Sequence, residues 1–220
     1  MLSKRLQTAL DLLPVCRCIA DVGCDHGLLT LALLTRGKCE HVVASDISAP
    51  SLEKAKTRLA QANLAGRASF FCCDGLSFAE PAQAAAVLGM GGRTILEILR
   101  AQNKTALSMQ CLVLQPASHR EALYHALPEL GLCVEEECIV RENGRFFPLI
   151  RLVPGRQAPL SGAAAEIGPL NSARRDSVTL SYTKWLCGVL ERALAQPGGG
   201  ENQQKAAARL QALTAYLEEE

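Results

Sequence analysis

The chain has 220 residues, with 23 Lys plus Arg set against 22 Asp plus Glu, and a formal net charge of +1. That length carries one sizeable core with a small appendage, and the near-neutral balance excludes a global basic field of the kind that attracts nucleic acid unaided. No apolar run reaches the roughly 18 residues of a membrane span, and Lys4, Arg5 and Asp11 break up the N-terminal apolar residues, so neither a membrane segment nor a signal peptide is expected and the reading is a cytoplasmic protein.

In chain order, Arg17 to Val22 reads as a buried strand that runs into a glycine-hinged turn and a helix from Leu28 to Thr35. His41 to Ile47 is a second strand, followed by an amphipathic helix from Ala49 to Asn63 with Leu52, Ala55, Leu59 and Ala62 on one side. Ala68 to Cys73 is a third strand. Ala85 to Leu88 is a short fourth one, ending in a turn at Gly89-Met90-Gly91-Gly92, with a helix from Arg93 to Ala101 behind it. Gln110 to Leu114 is a fifth strand capped by Gln115-Pro116, followed by a helix from Ser118 to Leu130. Cys133 to Arg141 and Phe146 to Val153 form a hairpin, for which Asn143-Gly144 is a strong turn signal. Strands alternating with helices imply a parallel sheet covered on both faces. Five parallel strands closed by an antiparallel hairpin make a Rossmann-like α/β sheet of seven strands, a layout that resembles class I methyltransferases.

The composition changes after Val153. Residues 1–155 are expected to form the Rossmann-like domain, and residues 156–220 a linker and a C-terminal helical arm. Val178, Tyr182, Trp185 and Val189 recur at 4-3-4 spacing, as do Ala206, Leu210, Leu213 and Leu217 beyond Pro197-Gly198-Gly199-Gly200. Two apolar seams joined by a glycine loop read as a helical hairpin or short coiled coil, either packed on the main domain or protruding to grip a large substrate. Neither part is basic: 16 cations face 15 anions in residues 1–155, and seven face seven in residues 156–220.

The ten cysteines lack a C-x-x-C pair, several lie in apolar runs, and the four histidines do not stand with them at ligand spacing. Reduced structural thiols are expected, and no metal.

The chemistry concentrates at the strand ends, where an open α/β sheet binds ligands. Asp21, Gly23, Asp25, His26 and Gly27 form the turn after the first strand. Glycines let the backbone pass close beneath a ligand, but Asp25 stands where a pyrophosphate-binding turn would have a glycine, and its carboxylate would repel that anion. A sulfonium with an amino-acid ammonium would be welcomed, which favours S-adenosylmethionine over NAD. Asp46, followed by Ile47, ends the second strand, where a carboxylate can accept both ribose hydroxyls. Asp74-Gly75-Leu76 follows the third strand, where a carboxylate can accept an adenine amino group; a plain Asp-Gly turn is the alternative. His26 reads as ordering its turn. Gly89, Met90, Gly91 and Gly92 leave room and free backbone groups for an acceptor ring, with Gln115 and Pro116 beside them. Lys4, Arg5, Arg17, Arg93, Arg120, Arg174, Arg175 and Lys184 are candidate phosphate contacts, each with ordinary solvated surface as its alternative.

Asp21-Val22-Gly23-Cys24-Asp25-His26, Ala44-Ser45-Asp46-Ile47, Asp74-Gly75-Leu76, Gly89-Met90-Gly91-Gly92 and Leu114-Gln115-Pro116 occur in series. Together with Leu2-Ser3-Lys4-Arg5-Leu6 and Ile167-Gly168-Pro169-Leu170, this series resembles the bacterial tRNA (adenine-22-N1)-methyltransferase family. The resemblance implies methyl transfer from S-adenosylmethionine to N1 of an adenine in the tRNA D-arm, by a Rossmann-like domain with a coiled-coil-like C-terminal arm. A monomer is expected. The rival readings are a methyltransferase for a small molecule or protein, a non-catalytic S-adenosylmethionine- or RNA-binding module, and, more distantly, an NAD oxidoreductase.

Overall fold

The computed structural model describes residues 2–196 and 200–219, so Pro197-Gly198-Gly199 of the expected glycine loop lie outside the described residues. The chain opens with helix α1 (Lys4–Leu12), capped by Ser3, whose Oγ accepts the Leu6 N–H at 3.2 Å. Leu6, Ala9 and Leu10 on its inner face are buried. Then follow β1 (Cys16–Val22), α2 (Leu28–Thr35), β2 (Cys39–Asp46), α3 (Ala49–Gln61) and β3 (Ala68–Cys72). Next come β4 (Ala84–Gly91), α4 (Gly92–Ala101), α5 (Asn103–Ser108), β5 (Cys111–Ser118) and α6 (Arg120–Leu130), and after them the hairpin of β6 (Leu132–Glu142) and β7 (Arg145–Pro154). Two short helices, α7 (Gly162–Ile167) and α8 (Pro169–Arg174), lead to α9 (Ser177–Leu194) and α10 (Glu201–Glu218).

The seven strands form one sheet in the order β3-β2-β1-β4-β5-β7-β6. The first five are parallel, and β7 pairs antiparallel with both β5 and β6. The order reverses between β1 and β4, so the crevice at their carboxyl ends is where such a sheet takes its ligands. Strand residues alternate between two cores. Ala20, Val22, Ala85 and Val87 face α4 and α6, while Ile19, Ala84, Ala86 and Val113 face α1 and α2.

Two expected boundaries move. The glycine segment is no simple turn: β4 runs on through Gly91, with its register shifted between Leu88 and Met90, where Met90 pairs with Pro116 and Gly91 with Ser118. Likewise β5 continues past Gln115-Pro116 to Ser118, backing the extended end of β4, whose residues 88–91 line the crevice.

The C-terminal helices do pair, and they pack on the sheet rather than standing free. Tyr182, Leu186 and Leu190 of α9 and Leu213 and Tyr216 of α10 share a core with Ile139 of β6 and Ile167 of α7. Trp185, placed in the seam by its spacing, is instead 46% exposed, because Leu186 takes the buried position. Polar bonds fix the same junction. Glu137 on β6, 1% exposed, accepts the Tyr124 hydroxyl of α6 at 2.7 Å and the Asn171 N–H of α8 at 2.7 Å. Both carboxylate oxygens of Glu166 on α7 accept Arg209 Nε of α10, at 3.0 and 2.9 Å.

Candidate functional site

A cleft of about 580 Å³ opens at the carboxyl ends of β1, β2 and β4, within the usual range for pockets that enclose a small ligand. Its lining brings together Asp21, Gly23, Asp25, His26, Asp46, Ile47, Asp74, Gly75, Gly89, Met90 and Gly91, all named from the sequence. Four carboxylates thus face one space, with Arg5 as the one Lys or Arg among its lining residues.

The turn after β1 is held by the end of β2. The N–H groups of Gly23 and Cys24 both donate to the Ser45 carbonyl, at 2.8 and 3.0 Å. Asp25, at φ +46°, donates its N–H to Asp46 Oδ2 at 3.0 Å, while Asp46 Oδ1 accepts the Ser48 N–H at 2.8 Å. Each Asp46 oxygen keeps a lone pair for a ligand. Asp21 is 4% exposed, and its Oδ2 accepts the Thr30 hydroxyl at 2.6 Å. Burial pushes its carboxyl up to about 6, with the neighbouring Asp46 charge pushing the same way and the Thr30 bond resisting. His26 is partly exposed; its carbonyl accepts Arg58 Nε at 2.7 Å and its ring stands 3.4 Å from Asp25, consistent with a turn-ordering part.

Several named residues serve the fold instead. Gly27, at φ +68°, does not line the cleft; a Cβ there would press on Ala55 at 2.9 Å, so this glycine lets α2 approach α3. Gly92 is buried, and a Cβ on it would strike the His119 and Ser118 carbonyls, so it lets the start of α4 pack against the junction of β5 and α6. Leu76 belongs to the core, and its N–H donates to Gln102 Oε1 at 3.0 Å. Gly23 is a true close approach, since a Cβ would run into the Met90 methyl that leans over it.

Gln115 and Pro116 are buried in β5 behind the cleft wall. Arg5 Nη1 donates to Gln115 Oε1 at 2.9 Å. An arginine has no acceptor, so the atom facing it must be the amide oxygen, and that oxygen is already engaged with a cation. Arg5 also lies 5.6 Å from the centroid of the Phe147 ring. Sequence reasoning placed Arg5 on a phosphate surface and overlooked that it lines the cleft. It also overlooked Thr94 and Ile98 on the lining, neither of which carries a motif-like signal; Leu28 lines the cleft too, and Thr30 stands behind Asp21.

The remaining candidate phosphate contacts divide. Lys4, Arg93 and Lys184 are exposed. Arg17 is exposed too, but it starts β1 and so sits at the end of the sheet remote from the cleft. Arg120 is buried, donates Nε to the Glu166 carbonyl at 3.2 Å and stacks 4.7 Å from the Tyr182 ring centroid, so it offers nothing to a phosphate. Arg174 donates to the Glu137 carbonyl and to Asn171 Oδ1, and Arg175 to the Tyr216 and Glu219 carbonyls, which commits both to joining the C-terminal helices.

Among the described residues no group of three His, Cys, Asp or Glu could hold a metal ion, and no helix is long and apolar enough to cross a membrane. All ten cysteines are free thiols.

A family model described as a methyltransferase domain matches residues 2–150. The tRNA (adenine(22)-N(1))-methyltransferase of Bacillus subtilis is 29% identical over 191 residues, spanning 84% of this chain and 79% of that protein. A Streptococcus pneumoniae structure in complex with S-adenosyl-L-methionine superposes with a TM-score of 0.88 at 25% identity, covering 99% of this chain and 100% of the other. M. capricolum TrmK, in complex with S-adenosyl-homocysteine, superposes with a TM-score of 0.85 at 22% identity, over 99% and 98% of the two chains.

Proposed function

Since the chain belongs to the methyltransferase-domain family, we propose that it transfers a methyl group from S-adenosylmethionine to N1 of adenine 22 in the D-arm of tRNA. The observation that carries the first half is the cleft with Asp21, Asp25, Asp46 and Asp74 at the strand ends. Its negative potential suits a ligand bearing a sulfonium and an ammonium and opposes a pyrophosphate. The tRNA half is supported by the likeness to the B. subtilis enzyme along most of both chains.

When bound, S-adenosylmethionine supplies an electrophilic methyl group. Asp46 offers its two remaining lone pairs to the ribose hydroxyls, and Asp74 offers its carboxylate to the adenine amino group. Asp21 and Asp25 hold the cationic end by charge. Adenine N1 carries a lone pair and is unprotonated near neutral pH, so no residue need act as a base. The protein's contribution is alignment and exclusion of water, effects worth on the order of 7–11 kcal/mol in well-oriented systems. Gly89 and Gly91, with no side chains, leave space for the acceptor ring, and the backbone carbonyls of the lining residues Gly89 and Met90 are the groups offered to the charge that the ring acquires. With its oxygen engaged by Arg5, Gln115 keeps an amide N–H₂ as its unspent group. The adenine must leave its stack to enter the cleft. Arg93, exposed in the first turn of α4 beside the cleft residues Gly91 and Thr94, is offered as a phosphate contact. Residues 1–155 carry the chemistry and residues 156–220 the arm, in a cytoplasmic monomer that needs no metal.

Incubation of the purified protein with unmodified tRNA and labelled S-adenosylmethionine, followed by nucleoside mass spectrometry, tests this. 1-Methyladenosine at position 22 is expected. Methylation confined to small molecules or proteins would overturn the tRNA assignment, and binding without turnover would overturn the enzymatic one.

A further inference from the structure

Given the tRNA reading, we propose a second RNA-binding site outside the cleft: a cationic groove along the outer flank of α1 that continues onto an exposed tryptophan of α9. Helix α1 is the dividing wall. Arg5 and Leu6 line the catalytic cleft, whereas Lys4, Gln7 and Thr8 line a separate groove of about 480 Å³, completed by Arg36 after α2 and by Val140 and Arg141 of β6. Three cations and no carboxylate line this groove, while Glu142 and Asp11 at its rim are bonded to the Lys4 N–H at 2.7 Å and to Gln7 Nε2 at 2.9 Å. In a chain whose total charge nearly cancels, that local imbalance points to a polyanion.

Arg141, on the edge strand β6, joins the groove to an aromatic platform on the other face of the hairpin, where Ile139 and Phe146 pack with α9 while Val140 and Phe147 pack with α1. The Arg141 guanidinium lies 5.5 Å from the Phe146 ring centroid, and Phe146 in turn meets Trp185 at 5.9 Å. Trp185 is stacked on Tyr182, with centroids 5.8 Å apart and planes at 21°, so its ring is held in one orientation while remaining 46% exposed. A flat ring fixed from below and open above is what an unpaired base stacks on. The surroundings are cationic as well. Lys184 precedes the tryptophan, Arg145 sits at the hairpin turn, and both are exposed; α9 has no acidic side chain from Ser177 to Leu190. Among the described residues, Lys4, Arg141, Arg145 and Lys184 form no side-chain ion pair, in contrast to Arg174, Arg175 and Arg209. The groove takes the sugar–phosphate backbone, the tryptophan takes a base, and the occupant is a nucleic acid with unpaired nucleotides, here the tRNA substrate itself.

The test measures binding of unmodified tRNA to the full-length protein at several salt concentrations. It compares the wild type with the Arg36→Gln/Arg141→Gln double variant, Trp185→Leu and Trp185→Phe. The double variant should bind at least tenfold more weakly, with the slope of log affinity against log salt reduced by about 1.5 for two lost phosphate contacts. Trp185→Leu keeps apolar packing on Phe146 but loses the flat ring, and should bind at least about fivefold more weakly. Trp185→Phe should recover most of that loss. S-adenosylmethionine affinity and thermal melting, measured on each variant, should match the wild type, which separates lost RNA contacts from lost structure. Wild-type affinity and salt slope in both the double variant and Trp185→Leu would overturn the proposal while wild-type methylation of tRNA leaves the catalytic reading intact. Competition by polyglutamate as strong as that by single-stranded RNA would also overturn it, by marking the surface as a generic anion site. A wild type that neither binds nor methylates tRNA would remove the catalytic reading and this proposal together.

Discussion

Asp21 is the most exacting place to test the electrostatics of the cleft. Its carboxyl is buried, and its value rises from the ordinary 3.8 to about 6. A carboxyl raised on folding stabilises the native state fully below its unfolded value and loses that contribution as pH climbs through the folded one. The window therefore runs from about pH 4 to just above pH 6, and a rise of this size corresponds to about 3 kcal/mol. Asp21→Asn keeps an oxygen to accept the Thr30 hydroxyl and removes the ionisation. Any cost of burying the amide N–H₂ is the same at every pH. Urea unfolding of both proteins from pH 4 to pH 8 should show the ligand-free variant gaining about 3 kcal/mol on the wild type across the window. Because a cationic ligand favours the ionised carboxylate, calorimetry should show wild-type affinity for S-adenosylmethionine falling as pH drops through about 6, and weaker, flatter binding in the variant. A pH-independent offset between the two unfolding curves would refute the reasoning.

Asp46→Ala removes the acceptor for both the Asp25 and Ser48 N–H groups along with the lone pairs offered to the ribose; calorimetry should show S-adenosylmethionine affinity falling at least tenfold. Gly27→Ala forces a left-handed backbone on a side chain that also presses on Ala55, and should cost roughly 2–4 kcal/mol in urea unfolding. Gln115→Ala releases Arg5 from its partner; turnover on tRNA should drop tenfold or more while S-adenosylmethionine affinity stays within about twofold.

The alternation of strands and helices was legible because each buried strand is a short apolar run and each helix has an amphipathic period. The acidic strand ends were legible because a carboxylate at the mouth of a parallel sheet has few structural uses. Other features lay beyond local pattern. The extension of β4 through Gly91 depends on pairing with a neighbour that itself passes a proline, and no window around residue 89 encodes that partnership. Gly27 and Gly92 resemble ligand-contacting glycines, yet the atoms that require them, on Ala55 and on the Ser118 and His119 carbonyls, are distant in sequence. Arg120, Arg174 and Arg175 look like surface cations until the C-terminal helices fold over them. Helix α1 does carry a signal, with Ser3 followed by Leu6, Ala9, Leu10 and Leu13, but it precedes the alternation from which the sheet is read.

The union between the sheet and the C-terminal helices rests on directional bonds at Glu137, Glu166 and Arg120, which tolerate little sliding, as well as on the apolar contacts beneath them. Severing the chain after residue 155 would strip Glu137 of the Asn171 N–H and of the helices packed over it, leaving the Tyr124 hydroxyl as its partner. These bonds set the spacing between the C-terminal helices and the sheet, and the proposed substrate, where it touches both, meets them at that spacing.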